Sequence, residues 1–130
     1  MIPATSTSHD AKTLSGPALR TFFRIAERWD LDVEEQMALL GLAARSTFFK
    51  WKKQGAVLPK DVLERISYVL GIYKALQILL PNPDAADAWI RQPNAAGPFG
   101  GRPALTRMVQ GVGDLYAVRQ YLDAQRSGWA

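Results

Sequence analysis

Between residues 59 and 81, apolar side chains recur at steps of three and four: Val62, Leu63, Ile66, Val69, Leu70, Tyr73, Leu76 and Leu80. That period belongs to one face of an α-helix about six turns long. Pro59 suits the first turn, and Pro81-Asn82-Pro83 stops the helix, because proline has no amide hydrogen and clashes with the preceding turn. At roughly 1.5–3 kcal/mol per large side chain buried, this stripe is the largest apolar contribution in the chain. A rod of this kind must be covered, so the shorter segments around it are expected to pack against it, with part of the face left for a partner. Gly71, midway, costs about 1 kcal/mol against alanine and implies either a close approach or a kink.

The rest of the composition narrows the choices. A 130-residue chain with 48% apolar and 22% charged residues is one domain, or two very small ones sharing a core. There is no cysteine, hence no disulfide framework and no thiolate metal site. The one histidine, His9, lies in a Ser/Thr-rich start, where a solvated side chain is the expected reading. Nothing in the sequence resembles a membrane span or a secretory signal, so a cytoplasmic protein is expected. The acids are spread along polar faces, with no nucleophile–base pair and no metal cluster. No catalysis, cofactor or metal is therefore expected.

Residues 1–14 are small, polar and without period, and read as a mobile leader. Beyond them Ser15 can cap a helix with Pro17 in its first turn and Leu19, Phe22, Phe23, Ala26 and Trp29 on one face. Asp32 followed by Glu35 is a capping-box pattern for a second helix carrying Met37, Leu39 and Leu40, closed by Gly41. After a brief turn, Ser46 can cap a third helix over 47–53, with Phe48 and Trp51 facing inward. Helix, glycine-containing turn and helix form the helix-turn-helix layout, and Thr47, Phe49, Lys50 and Lys53 take the outward face of its second helix. Residues 43–60 also hold Arg45, Lys50, Lys52, Lys53 and Lys60 without one acid. Such a run fits a phosphate-facing surface and equally a solvated face flanked by Asp30, Asp32, Glu34 and Glu35.

Arg45-Ser46-Thr47-Phe48-Phe49-Lys50-Trp51 resembles the recognition helix of Xre-type, phage-repressor-like regulators. The resemblance implies contact with operator DNA by Arg45, Ser46, Thr47, Phe49, Lys50 and Lys53. Phe49 departs from the family pattern, which carries a small polar residue there.

In the last third, Asp84 can cap a short helix, 85–90, with Ala88 and Trp89 inward. Pro93, Gly97, Pro98, Gly100, Gly101 and Pro103 then fall within a few residues, so this connector is shaped by turn chemistry around a central anchor, Phe99. Gly100-Gly101 has no preceding strand and no following Gly-Lys-Ser/Thr, so it is not a phosphate loop. Pro103 opens a helix with Leu105, Met108 and Val109. Asp114 can cap the last one, with Leu115, Val118 and Leu122 inside and Tyr116, Arg119, Tyr121, Asp123 and Arg126 outside.

These blocks, from Leu70-Gly71-Ile72-Tyr73 through Trp89-Ile90-Arg91, Phe99-Gly100-Gly101-Arg102-Pro103 and Gly111-x-x-Asp114-Leu115 to Val118-Arg119-x-Tyr121-Leu122, are similar to the toxin-binding domain of Xre/MbcA/ParS antitoxins. With the helix-turn-helix, the resemblance spans residues 17–130. It implies an all-α fold: a leader (1–14), an Xre-like helix-turn-helix region (15–58) packed on the long central helix, and that helix with a small C-terminal toxin-binding domain (59–130). It also implies an antitoxin that covers the active site of a RES-domain toxin consuming NAD, represses its own operon, and works as a homodimer or within a larger toxin–antitoxin assembly. Toxin contact would fall to Arg102, Arg119, Tyr121, Arg126, Gly128 and Trp129. Aromatics and arginine dominate interface hot spots, although Trp129 could equally fold back on the last helix, and the arginines could pair internally. The competing class is a free-standing regulator whose C-terminal helices only dimerise.

Overall fold

The computed structural model describes the backbone of residues 3–127 and the side chains of residues 12–127. These contain seven α-helices: α1 (Pro3–Arg28), α2 (Val33–Leu40), α3 (Arg45–Gln54), α4 (Lys60–Leu79), α5 (Pro83–Ala88), α6 (Ala104–Met108) and α7 (Val112–Arg126). A single 3-10 turn, Trp89–Arg91, follows α5, and the described residues hold no strand. The fold is all-α, with a helix-turn-helix in front and a helical module behind.

Helix α4 is the spine. α1, α2, α5 and α7 all pack against it. Its buried residues are Val62, Ile66, Val69, Ile72, Ala75 and Leu76. Two departures from the expected stripe follow from this shared cover. Leu70 is 41% exposed, while Ile72, outside the stripe, is fully buried. A rod packed against four helices buries more than one face, and a single-face pattern misplaces its rims. Truncating Leu76, at 1% exposure, to alanine removes contacts worth about 2–5 kcal/mol.

α1 begins well before Ser15. The helix runs back to Pro3 and passes through Pro17, in place of the expected leader without regular structure. Upstream of Ser15 no apolar period marks the helix in the sequence. Ser15 is no cap. It is buried inside α1, and its Oγ accepts a hydrogen bond from the Leu58 amide at 2.8 Å, tying α1 to the loop that enters α4.

The Asp32–Glu35 capping box forms as read: the Glu35 amide donates to Asp32 Oδ1 at 2.7 Å and the Asp32 amide to Glu35 Oε1 at 2.9 Å. Gly41 closes α2 in the left-handed region (φ 76°), with the Leu42 amide reaching back to the Met37 carbonyl at 2.9 Å, the wrapped ending that glycine favours. α1 ends the same way on Asp30 (φ 54°), the Leu31 amide donating to Ala26 at 2.9 Å.

Three other caps differ from expectation. α3 is preceded by Ala44 without a side-chain cap, and Ser46 lies inside its first turn. Asn82 rather than Asp84 caps α5, accepting from the Asp84 and Ala85 amides at 2.9 and 3.1 Å, with Pro83 at the first helical position. Gly111 precedes α7. Asp114 stands in the first turn of α7 and pairs with Arg107 at 3.0 Å.

The Pro/Gly connector closes into a compact loop. Pro93 and Pro103 form an antiparallel bridge, the Gly101 amide donates to Asn94 at 2.7 Å, and Gly100 and Gly101 both take positive φ. Phe99 is its anchor, held edge-on by Trp89 at 5.8 Å and by Tyr121 at 5.3 Å.

Candidate functional site

The helix-turn-helix presents one outward face. Phe48 of α3 is fully buried, and it turns the opposite side of the helix out. Ser46, Lys50 and Lys53 are exposed there and Thr47 is half-buried. Phe49 is 46% exposed, its ring edge-on to Phe48 at 5.2 Å, and the Arg45 guanidinium sits over it at 5.6 Å. Arg45 also pairs with Glu34 of α2. Of the six residues assigned to DNA, Lys50 and Lys53 are therefore the cations without a partner among the described residues, while Arg45 is engaged on its own surface.

The residues assigned to the toxin do not share one environment. Tyr121, expected outward, is half-buried against Phe99 and pins the connector to α7. Arg119 is drawn across α4: its Nη1 donates to the Ser67 carbonyl at 3.2 Å and its Nε to Asp123 Oδ2 at 3.4 Å. This explains Gly71. A Cβ there would sit 2.6–2.9 Å from Arg119 Nε, Cζ and Cδ, so the glycine makes room for the guanidinium. Arg102 and Arg126 are exposed and make no side-chain hydrogen bond or ion pair with the described residues. Arg102 borders a cleft of about 280 Å³ with Pro98, Thr106, Arg107 and Gln110. Gly128 and Trp129 lie outside the described residues.

Sequence reasoning missed three features. Arg91 bridges the two halves: Nε donates to the Trp29 carbonyl at 3.0 Å, and Nη2 donates to the Asp30 carbonyl at 2.6 Å and to Glu35 Oε1 at 2.9 Å. It thereby caps the end of α1 from 61 or 62 residues away in sequence, and no local pattern could have shown it. A groove between α1 and α3 is lined by Arg20, Phe23, Arg24, Glu27 and Lys52; the four-residue step between the arginines was a visible signal. An apolar groove of about 300 Å³ runs between α1 and α4, lined by Leu14, Pro17, Ala18, Thr21, Leu63, Ile66, Ser67 and Leu70.

Tyr68 is the one described group with a resolved shift: its phenol lies above the ordinary range, first because it donates to Glu64 at 2.6 Å and further through burial. That raises the barrier to ionisation and leaves it ill-suited as a base near neutrality. Among the described residues, no group of three or more His, Asp or Glu could hold a metal, and no helix is long and apolar enough to cross a membrane.

A helix-turn-helix carried on a shared spine, with a separate helical module behind it, defines the class of protein. Residues 8–71 match the antitoxin Xre-like helix-turn-helix domain, and residues 75–128 match the antitoxin Xre/MbcA/ParS C-terminal toxin-binding domain. The chain is also similar to uncharacterized protein y4oB of Sinorhizobium fredii (strain NBRC 101917 / NGR234), 52% identical over 128 residues that cover 97% of this chain and 98% of the relative. No solved structure matches. The chain belongs to the Xre/MbcA/ParS antitoxin family and is the antitoxin of a toxin–antitoxin pair, with a toxin as partner.

Proposed function

We propose that this antitoxin neutralises a RES-domain toxin that consumes NAD, by covering its active-site cleft, and that α3 reads the operator of the shared operon. The observation that carries the first part is the match of residues 75–128 to the toxin-binding domain. Arg102 and Arg126, exposed and without partners among the described residues, supply charge for that contact, and Gly128 and Trp129 supply the terminal anchor, since tryptophan and arginine dominate binding energy when buried at an interface. Arg119 and Tyr121 act through the fold by holding α7 and the connector in place. Nothing in this mechanism asks the antitoxin for chemistry: a blocked cleft excludes NAD.

On the DNA side, Lys50 and Lys53 meet phosphates while Thr47 and Phe49 face base edges, the phenylalanine against a thymine methyl or a sugar. The apolar groove between α1 and α4 supports a homodimer, which would set the spacing of operator half-sites.

The test is a mixing assay. Purified antitoxin is added to the RES-type protein encoded by the adjacent reading frame, and NAD consumption is followed. Stoichiometric loss of activity is expected, together with recovery when residues 127–130 are deleted at unchanged melting temperature. A toxin left fully active would end the proposal, and a DNA-binding dimer without that effect would make the chain a free-standing regulator.

A further inference from the structure

The groove between α1 and α3 is not part of the face assigned to α3. Arg20 and Arg24 stand one helical turn apart on its α1 wall, and both are exposed. Neither makes a side-chain hydrogen bond or ion pair with the described residues. Like charges at this spacing cost an isolated helix a few tenths of a kcal/mol, so the pair does not serve α1 itself. The opposite wall is Lys52 of α3, whose ammonium lies 5.7 Å over the Phe23 ring. That cation–π contact holds the charge inward over the floor. Glu27 is the one acid lining the groove, which leaves a net cationic channel. The channel adjoins the helix that bears Lys50 and Lys53.

We infer that this groove seats the phosphate backbone of duplex DNA flanking the bases met by α3, with Arg20, Arg24 and Lys52 as sequence-independent contacts. The inference rests on the DNA-binding reading above and adds a second, non-reading surface to it. Backbone contacts of this kind fix register and orientation, while specificity stays with the base edges.

The experiment measures affinity against salt concentration for two duplexes of equal length: the fragment upstream of the chain's own gene, and an unrelated sequence. For Arg20→Gln/Arg24→Gln the slope of log affinity against log salt becomes shallower by about 2, one per phosphate contact. Affinity near 0.1 M salt falls roughly ten- to hundred-fold on both duplexes alike, so their ratio is unchanged. Arg20→Lys/Arg24→Lys keeps the wild-type slope. Lys52→Gln, on the other wall, loses about 1 from the slope and serves as an independent variant should the double change disturb α1.

A wild-type slope in both glutamine variants overturns the inference while leaving DNA binding by α3 intact. Loss of toxin binding in those variants with an unaltered DNA slope makes the groove a protein site and overturns it too. A wild-type chain that binds neither duplex sinks the DNA reading, and the groove with it.

Discussion

The halves 1–58 and 59–130 carry equal charge, eight basic and six acidic residues each, yet among the described residues only the second half bonds cations to backbone carbonyls of the chain. In the second half four arginines donate to backbone carbonyls: Arg65 to Ala38, Arg91 to Trp29 and Asp30, Arg107 to Pro98, and Arg119 to Ser67. Each ties one segment of chain to another. In the first half, Arg20, Arg24, Lys50 and Lys53 make no such bond among the described residues, Lys52 rests only on a ring, and Arg28 and Arg45 meet single carboxylates at the surface. Net charge alone therefore says little about which surface awaits an anion. What distinguishes these four arginines from the first half's cations, and from Arg102 and Arg126 of their own half, is that a carbonyl of the chain has already claimed the guanidinium.

This contrast can be broken or sharpened by measuring stability. The largest effect is expected at Arg91→Ala. It leaves two carbonyls at the end of α1 without their donor and removes the partner of Glu35, a loss of about 2–4 kcal/mol discounted for partial exposure. A urea midpoint within error of wild type would show that the α1 terminus does not depend on the other half. Next comes Arg119→Ala, at about 1–2 kcal/mol. It is best read as a cycle with Gly71→Ala: alanine at 71 gains about 1 kcal/mol of helix propensity once Arg119 is gone, and not while it remains. Equal gains in both backgrounds would mean that the guanidinium does not lie over the glycine. Arg107→Gln follows at about 1 kcal/mol, through the lost Asp114 pair and Pro98 bond. Smallest is Lys50→Ala/Lys53→Ala, whose unfolding free energy is expected within about 0.5 kcal/mol of wild type although DNA affinity drops. A clear destabilisation there would erase the difference between the halves.

Much of the architecture was legible because it is local. The Asp32–Glu35 cap, Gly41 and the inner stripe Leu115, Val118 and Leu122 are all short-range patterns, and the structure repeats them. The choice of Asn82 over Asp84 was within reach too, since Pro83 belongs at the first helical position and so points to the residue before it. What local pattern could not show was sequence-distant: Ser15 meeting Leu58, Arg91 meeting Trp29, and Tyr121 meeting Phe99. The candidate surfaces divide in the same way. Outward placement of Lys50, Lys53 and Phe49 followed from helical period. The inward turn of Tyr121 did not, because an aromatic at the edge of a helix face goes wherever a second ring waits. The groove arginines were visible as a four-residue step but carried no meaning until α3 was placed beside α1.

The boundary between the two matched regions, residues 72–74, falls in the middle of α4, where Ile72 and Ala75 are fully buried. Splitting the polypeptide there would open the one core that both regions share, so neither portion survives as a separable cassette. A protease that unravels either end strips away both surfaces in one event. A chimaera joining the front of one such protein to the back of a relative must be spliced along a continuous rod, in rotational phase.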